Sequence, residues 1–459
     1  MKTTRTLALF AGPLLALLVS TLLAAGGWSA QAQVAAAITT LCAVWWVFEP
    51  IPMPVTSLLP LALFPLFGVL TPNEVGQSYG NPMILLLLGG FILSQAMSHS
   101  GAHRRVALGM VNLIGGHNPK RLVFGFMLAA AVLSMWISNT ATTLMLLPVA
   151  LAALEGSTDK KLAACLLLSI AYAASVGGIG TPIGTPPNLI FMKVYQETTG
   201  TEPSFLDWMQ VGVPVVICML PIIAWVMTRK LQSDHVADIP VTGKWQTAER
   251  RVLILFACTA VAWVTRKEPF GGWSQWFGLP GANDAAVALI AVILLFLIPD
   301  GRGKKLLTWE AAAKIPWGVL LLFAGGIAIA KAFTATGLSG AIGNGLTGLT
   351  DLPPLLVLLI ICLSVTFLTE VTSNTATTTL LMPILATAGT VVGVDPAVFM
   401  APAAISASCA FMLPVATAPN AVMYGSGRVP IETMARKGLQ LNLAGAVIIA
   451  TLFWLTGGL

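Results

Sequence analysis

The hexapeptide Ser-Asn-Thr-Ala-Thr-Thr occurs twice in this chain of 459 residues, at 138–143 and at 373–378. Serine, threonine and asparagine supply neutral oxygen ligands together with hydroxyl and amide donors. Such a set suits a cation like Na+ and the oxygens of an anion side by side. A proline follows each copy, Pro148 and Pro383, and a Pro-Asn pair lies further on, Pro187-Asn188 and Pro419-Asn420. Neither cassette contains Lys, Arg, Asp or Glu. An anion held there meets no fixed cation, so helix dipoles and bound cations must offset its charge. Empty cation sites leave a weak anion site, which is a physical route to cation coupling. The local alternative is that Ser and Thr bond back to helix carbonyls and only bend the helix. That accounts for one copy; two matched copies read as a duplicated binding site.

The elements that position these cassettes are apolar. The composition is 56% hydrophobic and 9% charged, with mean hydropathy +0.86. A soluble domain carries about 25% charged residues, so the expectation is an all-α polytopic membrane protein. The net charge of +6 is not a nucleic-acid footprint, because the basic residues follow the loops rather than one face. The six cysteines lie in or beside apolar runs, which predicts buried thiols and no disulfide framework. The N-terminus, with Lys2, Arg5 and Ala30-Gln31-Ala32, has the flavour of a signal peptide. Its apolar run is too long for a signal core, and a retained span is expected.

Eleven spans are expected at 7–26, 34–48, 55–70, 82–97, 162–192, 211–227, 252–264, 285–298, 316–333, 398–424 and 439–456. Two further apolar stretches, 122–154 and 355–392, carry the S-N-T motifs and are too long for one span each. Each reads as a re-entrant helical hairpin, or as two crossings, without changing the parity. With the N-terminus inside, 20 of the 24 Lys and Arg fall in inside loops. Only Lys193, Arg266 and Lys267 fall outside, and Lys331 lies in a span, where its stem is expected to snorkel. This bias predicts a cytoplasmic N-terminus and an outside C-terminus.

A third anchor makes the duplication general. Gly89-Gly90 before Ser100-Gly101 matches Gly325-Gly326 before Thr336-Gly337. Offsets between halves are 236 at the glycines, 235 at S-N-T and 232 at Pro-Asn. Five crossings separate the two Gly-Gly spans, so the halves are expected to be inverted, with a site at their interface. Prolines 182, 186 and 187 in the first half, and 414 and 419 in the second, forbid an unbroken helix before each Pro-Asn. Broken helices at membrane depth are tolerated where they line a cavity. Five segments follow: 1–121 and 252–352 as scaffold, 122–228 and 353–459 as the motif-bearing elements, and 229–251 as an inside linker with a surface helix. Glu370, three residues before the second motif, reads equally as a functional carboxylate or a structural one. His99 and His103 share helical spacing but lack an acidic third ligand for a metal. No convergent His, Asp, Glu or Cys set points to an enzyme, and no Lys-Ser/Thr completes a phosphate loop at 177–184.

The paired S-N-T motifs, the stretch S-C-A-F-M-L-P-V-A-T-A-P-N-A-V-M at 408–423, and Glu49-Pro50-Ile51-Pro52 with Val55-Thr56 resemble the divalent-anion:sodium symporter family. The resemblance covers essentially the whole chain. It implies a Na+-coupled, elevator-type importer of C4-dicarboxylates such as succinate, malate or fumarate, working as a homodimer in the bacterial inner (plasma) membrane. It implies a first Na+ site of Asn139 with carbonyls near Ser134, Ser138 and Gly184. A second would use Asn374 with carbonyls near Thr369, Thr372 and Ala416. Substrate would meet Ser138, Asn139, Thr140, Ser373, Asn374 and Thr375, closed by Thr185, Pro186, Thr417 and Ala418. The family signature usually ends in valine, where Met423 stands, and often has proline where Ala418 stands. Within the family, a Na+-independent dicarboxylate or 2-oxoglutarate exchanger and a sulfate or citrate carrier are the alternatives. Arsenite or Na+/H+ antiporters are more distant, and the motifs lack the central carboxylate that a proton antiporter needs.

Overall fold

The computed structural model describes residues 2–114, 118–155, 157, 159–232, 243–345 and 352–456. Among these residues the secondary structure is helical. Eight helices are long and apolar enough to cross a membrane, and five shorter apolar helices accompany them. Each of the eleven expected spans contains helix, but three are not single rods. The first is 55–70, which divides into Met53–Thr56 and Leu59–Leu66. The second, 162–192, runs as Lys160–Gly177, a tight turn at Gly178–Gly180, and Pro186–Thr199. The third, 398–424, runs as Ala397–Ala407 and Ala418–Gly425. Both later breaks fall at the prolines, which lack an N–H and clash with the preceding turn.

The S-N-T stretches each form two helices around a four-residue turn. Their first arms, Pro119–Ser134 and Pro354–Thr369, are both 16 residues long and open on proline, which suits the first helical position. Their second arms are Asn139–Ala153 and Asn374–Val392. Ser138 caps the first of these, its Oγ accepting from Ala141 N at 3.3 Å. Thr143 and Thr378 do bond back to the carbonyls of Asn139 and Asn374. Local back-bonding therefore operates one turn beyond each S-N-T, and leaves the motif residues themselves for other partners.

The repeated glycines lie at close contacts between elements. A methyl group on Gly89 would strike Ala288, and one on Gly325 would meet the Ser57 carbonyl at 2.9 Å. Gly90 faces Ile183 in the first unwound turn, while Gly326 faces Thr379 in the second hairpin. Helices Pro82–Ser100 and Trp317–Thr336 thus run directly against the motif-bearing elements. Trp136, in the first S-N-T turn, stacks on Phe205 and meets Phe256 edge-on, and Phe205 stacks on Trp263 at 4.7 Å. This ladder ties the turn to helix Thr247–Val264. Beside it, Arg266 Nε donates to Asp284 Oδ1 at 2.6 Å, and Phe205 N donates to Asp284 Oδ2. Arg266 is buried.

One expectation changes. Cys42, Cys165, Cys362 and Cys409 are buried free thiols, whereas Cys218 and Cys258 are exposed on faces of otherwise apolar helices. The surface helix expected within 229–251 has no counterpart among the described part of that segment, where helix begins at Thr247; residues 233–242 lie outside the described residues. Lys193 is buried, in an ion pair with Glu197 at 3.2 Å.

Candidate functional site

Asn139 and Asn374 are the first residues of their helices. Helical geometry there leaves backbone N–H groups without intrahelical acceptors. Beneath Asn139, Ser134 Oγ donates to Asn139 Oδ1 at 2.6 Å. Beneath Asn374, Thr369 Oγ1 donates to Asn374 Oδ1 at 2.7 Å. The two halves therefore repeat not only a sequence but a bond, with a buried hydroxyl orienting the asparagine oxygen. Ser134 and Thr369 are fully buried. Gly178 sits against the first amide, where a methyl group would lie 2.5 Å from Asn139 Oδ1.

Each unwound turn is knotted by the asparagine of its Pro-Asn pair. Asn188 Nδ2 donates to the carbonyls of Gly178 at 2.9 Å and Thr181 at 2.7 Å. Asn420 Nδ2 donates to the carbonyls of Ala410 and Leu413, both at 3.0 Å. Further support differs between the halves. In the first, Trp208 Nε1 donates to the Ile179 carbonyl, and Thr181 Oγ1 donates to the Met135 carbonyl. In the second, the buried Glu370 accepts from Met412 N at 2.8 Å, Leu413 N at 3.0 Å and Asn442 Nδ2 at 2.7 Å. Asn442 Oδ1 in turn accepts from Phe411 N. Glu370 does not line the cavity described next; its contacts hold a turn in place, the structural side of the earlier alternative. Neither Trp208 nor Asn442 is apparent from the motifs, because nothing local marks a residue that serves a distant turn.

The two S-N-T turns and the two unwound turns line one cavity of about 1130 Å³. Ser138, Asn139, Thr140, Thr185 and Pro186 reach it from the first half, and Ser373, Asn374, Thr375, Thr417 and Ala418 from the second. Gly184, Thr372 and Ala416 also line it, whereas Ser134 and Thr369 lie beneath. Helices Pro82–Ser100 and Trp317–Thr336 contribute Phe91, Gln95 and Val319. The lining then continues to Arg5, Glu49 and Lys314, the charged residues on it among the described ones. The motifs gave no hint of Arg5 or Lys314, which come from the start of helix Lys2–Ala25 and from the connection before helix Trp317–Thr336. The chemistry of the central part is neutral oxygens and free helix N-termini, without proton-transfer groups. It can hold a cation by oxygens and a carboxylate by donors, but it offers no nucleophile or general base.

The sequence profile of the citrate transporter family (CitMHS) matches residues 43–402. A sodium-dependent dicarboxylate transporter, SdcS, from Staphylococcus aureus strain USA300 is 40% identical over 439 residues, covering 90% of this chain and 84% of the relative. SdcS from the bovine strain RF122 / ET3-1 matches with the same identity and coverage. Among solved structures, the YdaH transporter of Alcanivorax borkumensis superposes with a TM-score of 0.60 at 16% identity, covering 86% of this chain and 89% of that one. MtrF of Neisseria gonorrhoeae gives 0.58 at 13% identity, covering 83% and 82%. At such identities the two structures speak for the fold alone.

Proposed function

This chain belongs to the citrate transporter family, in its divalent-anion:sodium symporter branch, and from that premise we propose that it couples Na+ entry to uptake of C4-dicarboxylates such as succinate, malate or fumarate. It is a multi-pass membrane transporter and not an enzyme. The observation that carries the proposal is the single cavity lined by both S-N-T turns, whose central oxygens are all neutral. A dianion there needs cations brought with it. The S. aureus relative, named for sodium-dependent dicarboxylate transport, supports the same reading.

In this proposal Asn139, with carbonyls near Ser134, Ser138 and Gly184, takes one Na+. Asn374, with carbonyls near Thr369, Thr372 and Ala416, takes another. The hydroxyl bonds from Ser134 and Thr369 orient both amide oxygens for that task. Thr140, Thr375 and the helix N-termini hold the carboxylates, with Thr185, Pro186, Thr417 and Ala418 closing around them. Residues 122–228 and 353–459 travel against 1–121 and 252–352 in an inverted, elevator-type exchange, joined by 229–251, and two copies pair as a homodimer in a bacterial inner membrane. Each Na+ entering down a potential of about 100 mV contributes roughly 2.3 kcal/mol and a dianion costs about twice that, so two Na+ balance its charge and a third lets the potential drive it inward.

The deciding experiment is radiolabelled succinate uptake into proteoliposomes, with and without an inward Na+ gradient. Uptake that needs Na+ and grows with an inside-negative potential supports the symporter. Succinate exchange that ignores Na+ would replace it with the exchanger, and silence toward succinate with citrate or sulfate counterflow would move the substrate.

A further inference from the structure

Arg5, Glu49 and Lys314 are not part of the motif-bearing elements, yet they line the same cavity as the S-N-T turns. Arg5 Nη2 stands 3.6 Å from Glu49 Oε2, with side chains 51% and 41% exposed. An ion pair that open to water is weak and can be exchanged for another carboxylate. Its geometry is nonetheless held. Glu49 ends helix Ala30–Phe48 in the left-handed region at φ 45°, its N–H donating to the Trp45 carbonyl. Such a backbone is uncommon for a residue with a side chain and gathers at functional positions. The same Trp45 donates from Nε1 to the Ala8 carbonyl at 3.2 Å, and Gly12 packs on its indole. One tryptophan therefore docks the first helix, and with it Arg5, beside Glu49.

We propose that Arg5 and Lys314 form a carboxylate-binding anteroom between the neutral inner site and water, with Glu49 as the resident carboxylate that a dicarboxylate displaces from Arg5. The three charges sum to +1, so the mouth attracts an anion even while Glu49 is in place. A dianion, carrying twice the charge, gains more from this field than a monocarboxylate does. This gives the neutral inner site what it lacks, a fixed positive field that raises local anion concentration. The inference rests on the dicarboxylate reading above.

The test is succinate half-saturation measured separately from each face, in right-side-out and inside-out vesicles carrying wild type, Arg5→Gln, Lys314→Gln, Arg5→Lys and Glu49→Gln. Arg5→Gln and Lys314→Gln are expected to raise it roughly 3- to 10-fold from the face onto which the cavity opens, at low ionic strength, as loss of a steering charge would. The effect should shrink as choline chloride is added, leave Na+ half-saturation no higher than in wild type, since the lost charge repelled Na+ as it attracted the anion, and be rescued by Arg5→Lys. Glu49→Gln should lower half-saturation from that face. Wild-type values in both glutamine variants, or an equal rise from both faces, would overturn the anteroom. If wild type carries no succinate at all, the dicarboxylate reading fails first. The same charge series run with citrate and sulfate then decides the anteroom on its own.

Discussion

Asn139 and Asn374 show how one residue type is prepared for a task by another. Each is oriented by a buried hydroxyl, from Ser134 or Thr369, so its oxygen is fixed before any cation arrives. Asn139→Ala and Asn374→Ala should each lower Na+-dependent succinate uptake roughly 10- to 100-fold, from about 1.5–3 kcal/mol for a lost bond to a charged group. Purified variants should still elute as folded protein, and wild-type rates in both would remove the cation assignments. Glu370 makes a different prediction. Its carboxylate accepts three N–H donors, and Glu370→Gln turns an NH₂ group toward one of them. The expected cost is about 1–3 kcal/mol, read as a lower midpoint in thermal unfolding, and an unchanged midpoint would show that the turn holds itself. The two motifs were visible in the chain because they repeat. Ser134 and Thr369 entered only with the family resemblance, for carbonyls near them; that their hydroxyls hold the asparagine oxygens came with the structure. Trp208 and Asn442 were not, because their partners lie far off in sequence.

At the scale of elements, the two halves close their site with unequal helix starts. The first has Pro186 and Pro187 at its opening, neither with an N–H. The second opens on Ala418 and Pro419, so the Ala418 amide is a donor the first half lacks. Proline fits the first helical position without strain. Ala418→Pro should therefore fold, weaken succinate binding by roughly 3- to 10-fold, about one net hydrogen bond, and reorder the preference among dicarboxylates. Competition profiles identical to wild type would count against a role for that amide. The Arg266–Asp284 pair supports the opposite kind of element, a rigid one. Arg266→Met strands a buried carboxylate, and the expected loss is about 3–5 kcal/mol of stability, detectable as aggregation on mild heating. The prolines announced both broken helices. They did not announce that 55–70 divides into two short helices, which bend around Ser57 as its carbonyl accepts from Tyr79 and its hydroxyl from Trp46.

At the scale of the molecule, the charge distribution makes an orientation testable. With the exposed Cys218 and Cys258 replaced by serine, a cysteine at Lys267 should react with an impermeant maleimide from outside the cell. A cysteine at Arg302 should react only after the membrane is opened. The reverse pattern would invert the topology and, with it, the face onto which Arg5 and Lys314 look.

The sequence by itself determined the class of molecule, because a chain this apolar has only helices with which to satisfy its backbone in lipid. It also determined the break before each Pro-Asn pair, since proline cannot donate and clashes with the preceding turn, and it marked the cassettes, since polar groups at such depth are costly unless used. Tertiary structure alone decided that both cassettes open on one cavity. It alone decided that Glu370 serves a turn rather than the cavity, that Arg266 is buried against Asp284, and that Arg5 joins Glu49 and Lys314 on the cavity lining. Local pattern records what a residue needs from its own helix. Where a long charged side chain finds its partner depends on how distant helices cross, and that is set by the packing of the whole.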